Sequence, residues 1–158
     1  MTNYRSAEVR PSAEGSTVVM HCSDPRFQPH FQDFCRTALG IDHYALIAVP
    51  GGPQLLDLPE SGAIGWPWAQ FMVELTHTPR IVLIVHDDCR WYMHTVPGQD
   101  PARLVQRMLQ DARRVRATLL ERFGPRTIEI YYAHLEGTRA HFQRVAADPE
   151  ASELDRRA

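Results

Sequence analysis

The stretch Arg80-Ile-Val-Leu-Ile-Val-His86 decides the fold. Its apolar residues run without alternation and most are β-branched, which marks a short strand buried inside a sheet. Three further segments share that character: Thr-Val-Val-Met-His (17–21), His-Tyr-Ala-Leu-Ile-Ala-Val (43–49) and Thr-Ile-Glu-Ile-Tyr-Tyr-Ala-His (127–134). Between them the apolar period lengthens to that of a helix. Phe31, Phe34, Cys35, Ala38 and Leu39 recur at helical spacing before Gly40. Ile64, Trp68, Phe71, Met72 and Leu75 mark the expected inner face of a second helix, preceded by a loop to about Pro59. A long third helix has Asp100 as N-cap and Pro101 in its first turn. It keeps Leu104, Val105, Met108, Leu109, Val115 and Leu119 inside and stops at Gly124-Pro125.

Strands alternating with helices predict an α/β fold: a mostly parallel sheet of about four strands, in the order 2-1-3-4, flanked by helices on both faces. The expected organisation is an N-terminal arm (1–15), a single domain (16–147) and a charged C-terminal tail (148–158). A short helix is expected around Arg139–Ala146. With 158 residues the chain is long enough to bury a core without disulfide staples. A net charge of -2 gives no electrostatic reason for nucleic acid or an anionic membrane as partner. No apolar run is long enough to span a bilayer and no export signal is seen, so the expected location is cytoplasmic. Three cysteines without a disulfide framework then point to thiols kept for metal or chemistry.

Two strands break their apolar logic at the carboxyl end. One continues His21-Cys22-Ser23-Asp24-Pro25-Arg26; the other continues His86-Asp87-Asp88-Cys89-Arg90. Ligands of open α/β sheets bind beyond the carboxyl ends of strands, where strand order reverses. With the first and third strands adjacent, Cys22 faces His86 and Cys89 across a gap that one ion fills. Two thiolates and an imidazole suit zinc, and three protein ligands are the pattern of a site that keeps one position free. Residues two apart on an extended segment share a face, so Asp24 projects toward the metal beside Cys22. Asp24 either occupies the fourth position or accepts a hydrogen bond from water there. Arg26 is placed to grip its carboxylate in a forked pair. Cys35 reads as a core residue, and Asp87 and Asp88 as outer or solvated groups. The arginines from Arg103 to Arg122 read as a solvated helix face. A histidine-cysteine followed by an arginine also raises a cysteine-dependent phosphatase, but the phosphate cradle needs its arginine at 28, which is Gln28.

The paired segments Cys22-Ser-Asp-Pro-Arg26 and His86-Asp-Asp-Cys89 resemble those of the β-class carbonic anhydrases. The resemblance runs from about residue 16 to 145. It implies that Cys22, His86 and Cys89 hold Zn2+, that Asp24 and Arg26 form the dyad beside it, and that Gly51 and Gly52 belong to the pocket. It further implies a lyase that hydrates CO2 reversibly to bicarbonate through zinc-bound hydroxide, and association as a homodimer or higher homo-oligomer. His21, His30 and His94 are the proton relays to choose among. The chain departs from the family's pattern in two places. Arg90, followed by Trp91 and Tyr92, stands where the family has glycine, so bulky side chains narrow or re-line the pocket. Ala48-Val49-Pro50-Gly51 replaces a more polar turn. The alternatives are the same zinc site acting on carbonyl sulfide or carbon disulfide, and a non-catalytic zinc protein.

Overall fold

The computed structural model describes residue 3 and residues 5–146. The expected tail, residue 147 and residues 1, 2 and 4 of the expected arm lie outside the described residues. Strands β1 (Thr17–Cys22), β2 (Tyr44–Val49), β3 (Arg80–His86) and β4 (Thr127–Glu136) form the parallel part of one sheet. A fifth strand, β5 (Arg139–Val145), closes its edge. The order is β2-β1-β3-β4-β5, with β5 antiparallel to β4. The predicted 2-1-3-4 core is therefore present and the sheet is one strand wider.

The helices are α1 (Gln28–Thr37), α2 (Gln54–Asp57), α3 (Pro59–Thr76), α4 (Arg90–Thr95) and α5 (Pro101–Phe123). They cover both faces because each central strand is apolar on both. Val19, Val82, Ile84 and Ala133 meet Phe31 and Cys35 of α1 on one side. Val18, Met20, Leu83, Val85 and Ile130 meet Ala69 and Val73 of α3 and Met108, Val115 and Leu119 of α5 on the other. Ile81 to Val85 are almost wholly buried. At about 1.5–3 kcal/mol for each such side chain, β3 is the strand the sheet is built around. Helix α5 starts as the sequence implies: Asp100 accepts from the Arg103 N–H at 3.0 Å and Pro101 fills the first turn.

Four expectations change. Arg139–Val145 is a strand, not a helix. Glu136 pairs with Arg139 across a two-residue turn led by Gly137 at φ 62°, the geometry of a tight hairpin. Alternate residues Ala140 and Phe142 then face the core, and the Phe142 ring stacks on Phe34 at 4.0 Å. The loop before Pro59 contains α2. The inner face of α3 is formed by Gly62, Gly65, Ala69, Val73 and Thr76, while Ile64, Trp68, Phe71 and Leu75 are exposed. A Cβ on Gly65 would stand 2.6 Å from Leu55, so small residues let α3 lie close to α2. Finally, the α5 arginines are engaged. Arg107 and Arg114 pair with the fully buried Asp111, Arg114 also pairs with Asp57, and Arg122 lies over Trp66 at 4.2 Å.

Candidate metal centre

β1 and β3 are parallel neighbours, with His21 opposite Ile84, so their carboxyl ends open on the same edge of the sheet. Beyond them the chain turns away from β1 at Ser23 and from β3 at Asp87, and Cys22, His86 and Cys89 converge. Their ligand atoms all lie within 4.8 Å of one another and all three residues are buried. The two Sγ atoms are 3.8 Å apart. Two thiolates bound tetrahedrally to one ion at about 2.3 Å would stand about 3.8 Å apart.

The imidazole is oriented in a way that suits the same ion. His86 Nδ1 donates to the Asp87 carbonyl at 2.7 Å, which leaves Nε2 as the free lone pair. That Nε2 is buried and has no hydrogen-bond partner among the described residues. A buried polar atom without a partner is costly, and a cation held with the two sulfurs supplies the partner. The aromatic rings of Phe27, at 4.2 Å, and Phe31, at 5.8 Å, fix the plane of His86. The donor set and its geometry fit zinc.

The two thiols share a hydrogen bond. The hydrogen bond from Cys89 holds the Cys22 thiol well below its usual range, against the opposing effect of burial, with help from His86 and the Gly51 N–H. Cys89 is pushed up by the same hydrogen bond and by burial, although the N–H groups of Tyr92 and Trp91 favour its thiolate.

Asp24 stands outside the ligand set. Its carboxylate is gripped by Arg26, with Nη2 to Oδ2 at 2.7 Å and Nε to Oδ1 at 3.0 Å, and it accepts the Arg26 backbone N–H at 3.0 Å. The guanidinium therefore holds the carboxyl below the usual range. Arg26 has a second anchor that the sequence did not single out: Nη1 meets Asp88 Oδ2 at 2.6 Å and Nη2 meets the Asp88 carbonyl at 2.9 Å. Asp88 adopts φ 51° to present both groups. Asp87 turns the other way, accepting from Tyr132 Oη and from the Leu135 N–H at 2.9 Å, and so pins the turn after β3 to β4. Neither acid is merely solvated.

A cleft of about 570 Å³ opens over Cys22, lined by Asp24, Arg26, Pro50, Arg90, Trp91 and His94 among others. Arg90 and Trp91 thus line the cleft, from a helix rather than a loop. Tyr92 is buried and donates to Asp111 at 3.1 Å. The turn after β2 approaches as only glycine permits. Gly52 has φ 56°, and a Cβ there would stand 2.8 Å from the Cys22 nitrogen; at Gly51 it would stand 2.3 Å from the Trp91 ring. Of the three histidines considered as relays, His94 borders the cleft and is exposed. His21 is buried against Phe31, and burial lowers its pKa. His30 is exposed on α1, away from the cleft lining.

No protein-family model matches the chain, and no curated protein matches it. Solved structures do. The β-carbonic anhydrase of Aspergillus fumigatus is similar with a TM-score of 0.55 at 12% identity, over 90% of this chain and 82% of that one. The carbonic anhydrase of Streptococcus mutans is similar with a TM-score of 0.54 at 15% identity, over 90% and 88%. A β-carbonic anhydrase of the protozoan Trichomonas vaginalis gives 0.51 at 11% identity, over 87% of each. At such identities the likeness is one of architecture: this five-stranded sheet with its flanking helices has the β-carbonic anhydrase fold.

Proposed function

We propose that this chain is a zinc-dependent lyase of the β-carbonic anhydrase type that hydrates CO2 reversibly. One observation carries the reading. Two sulfurs 3.8 Å apart and a partnerless imidazole nitrogen converge beside a carboxylate that its arginine holds away from them. Cys22, His86 and Cys89 would hold the zinc. Bound there, zinc acts as a Lewis acid and makes a water molecule acidic enough to be deprotonated near neutral pH.

The chain's own residues do the rest. Asp24, kept ionised by Arg26, accepts a hydrogen bond from the reacting water and fixes its orientation. Arg26 serves as a clamp; its hold on Asp24 leaves the fourth ligand position to solvent, and Asp88 steadies the guanidinium from the far side. Pro50 and Trp91 give the cleft an apolar wall suited to an uncharged, linear substrate, while Arg90 at its edge favours an anionic product. His94 is placed to carry the released proton to solvent. The same reading includes association between two copies, for which the exposed face of α3 is the surface.

Stopped-flow CO2 hydration on zinc-loaded protein tests this. Activity should rise with pH, and Asp24→Ala or Arg26→Ala should lose at least about a hundredfold in turnover while retaining zinc. Zinc-loaded protein no faster than buffer between pH 7 and 9 would remove the proposal. Carbonyl sulfide offered to the same protein distinguishes the other small electrophiles.

A further inference from the structure

The hairpin at the sheet's edge carries a second set of metal-binding atoms. β4 and β5 pair with His134 directly opposite His141. His134 and Glu136 are two apart on β4 and so share a face, and the cross-strand partner His141 joins them there. His134 Nε2 lies 3.1 Å from Glu136 Oε1, and the two imidazole centroids are 4.8 Å apart with planes inclined at 63°. One ligand atom from each of the three lies within 4.8 Å of the others.

The arrangement is supported from within. The His134 ring stacks on Tyr132 at 5.7 Å, and the Tyr132 hydroxyl donates to Asp87. His134 is thus a held ligand at 27% side-chain exposure, while Glu136, at 66%, and the exposed His141 are free to adjust. Ligand atoms around a tetrahedral ion at about 2.1 Å stand about 3.4 Å apart, and small rotations of the two outer side chains reach that spacing.

We propose that His134, Glu136 and His141 form a second divalent transition-metal site, separate from the cysteine-histidine centre. Two imidazoles and a carboxylate are the ligand chemistry of zinc, nickel or copper(II). Magnesium and calcium, which require an oxygen shell, are excluded. Three protein ligands leave the ion at least one outward position. Filling the site adds a cross-strand link between β4 and the edge strand β5, close to the turn that joins them.

Equilibrium dialysis of the full chain against Zn2+ at neutral pH, with metal counted per chain, tests the site. The wild type should hold one equivalent more than the His134→Gln/His141→Gln double variant, and excess Mg2+ should not displace it. Glu136→Gln should weaken that equivalent about tenfold. The Cys22→Ser/Cys89→Ser variant should lose a different equivalent, so failure at one centre is distinguishable from failure at the other. Without metal, the hairpin variants should melt with the wild type, because the replaced side chains contribute little to the core. With Zn2+ only the wild type should gain thermal stability from this site. Equal zinc in the wild type and the double histidine variant, or displacement by Mg2+, would overturn the proposal.

Discussion

Gly52 shows how closely the cluster of Cys22, His86 and Cys89 depends on single atoms. Its φ of 56° and the 2.8 Å approach of a built Cβ to the Cys22 nitrogen leave no room for a side chain, and the atom opposite is backbone. Gly52→Ala should therefore cost at least about 2 kcal/mol, read from the urea midpoint, and should lower zinc retention because the end of β1 must move. Gly51→Ala meets the Trp91 side chain, which can rotate into the cleft, so its cost should be smaller. Cys35 offers a separate test. Burial pushes its thiol from 9.0 up to about 11. In the unfolded chain it ionises first, so its contribution is complete below pH 9 and is lost as pH rises toward 11, with a slope of at most about 1.4 kcal/mol per pH unit. The chain has no lysine, but burial also pushes up Tyr44, Tyr92, Tyr131 and Tyr132, which add to the same alkaline fall. The share due to Cys35 is therefore read as the difference between the wild type and its Ala variant. Cys35→Ala should make the alkaline fall in stability shallower without removing it; an unchanged slope would show that the thiol contributes nothing to it. The candidate ligand cluster was legible because Cys22 and His86 end apolar strands, and Cys89 follows close behind, with chemistry the core does not need. Asp88 was not: its role depends on a backbone conformation at φ 51° and on Arg26 lying 62 positions away, and spacing encodes neither.

Among the elements, those with a long period and a punctuated end were readable. β3 and α5 announce themselves by apolar runs, an N-cap and a terminal glycine. β5 did not, because only Ala140 and Phe142 alternate toward the core and its neighbours are polar enough for an exposed helix. Gly137, at the turn before Arg139, was the available signal: a glycine-led pair between two short runs is a hairpin cue. α3 misled for a physical reason. Two faces of the helix compete for the interior, one with large apolar side chains and one with Gly62, Gly65 and Ala69. A rule that buries the larger hydrophobes selects the first, yet α2 packs so close that only small residues fit between the helices. The helix itself was predicted correctly; its orientation was set by a neighbour that had been read as loop.

At the scale of the whole molecule, that orientation leaves Ile64, Trp68, Phe71 and Leu75 outward at 55%, 48%, 58% and 48% exposure. Four large apolar side chains in one row exceed the scattered exposure normal for a monomer surface. Their spacing of four, three and four residues is that of a coiled-coil seam. A two-fold axis through the middle of such a row brings Ile64 of one copy to Leu75 of the other and Trp68 to Phe71, so the row is complementary to itself. A stable dimer buries about 800 Å² on each partner, more than the row alone provides. The groove beside Leu75, which Val9, Ala45 and Met72 also line, extends the same surface toward the β2 edge. The wild-type chain should therefore scatter light at twice its monomer mass at micromolar concentration. Trp68→Asp/Phe71→Asp should return it to the monomer with its circular dichroism unchanged, because neither side chain supports the core. Wild-type protein that remains monomeric at hundreds of micromolar would leave the row without its partner and would exclude a second copy as its occupant.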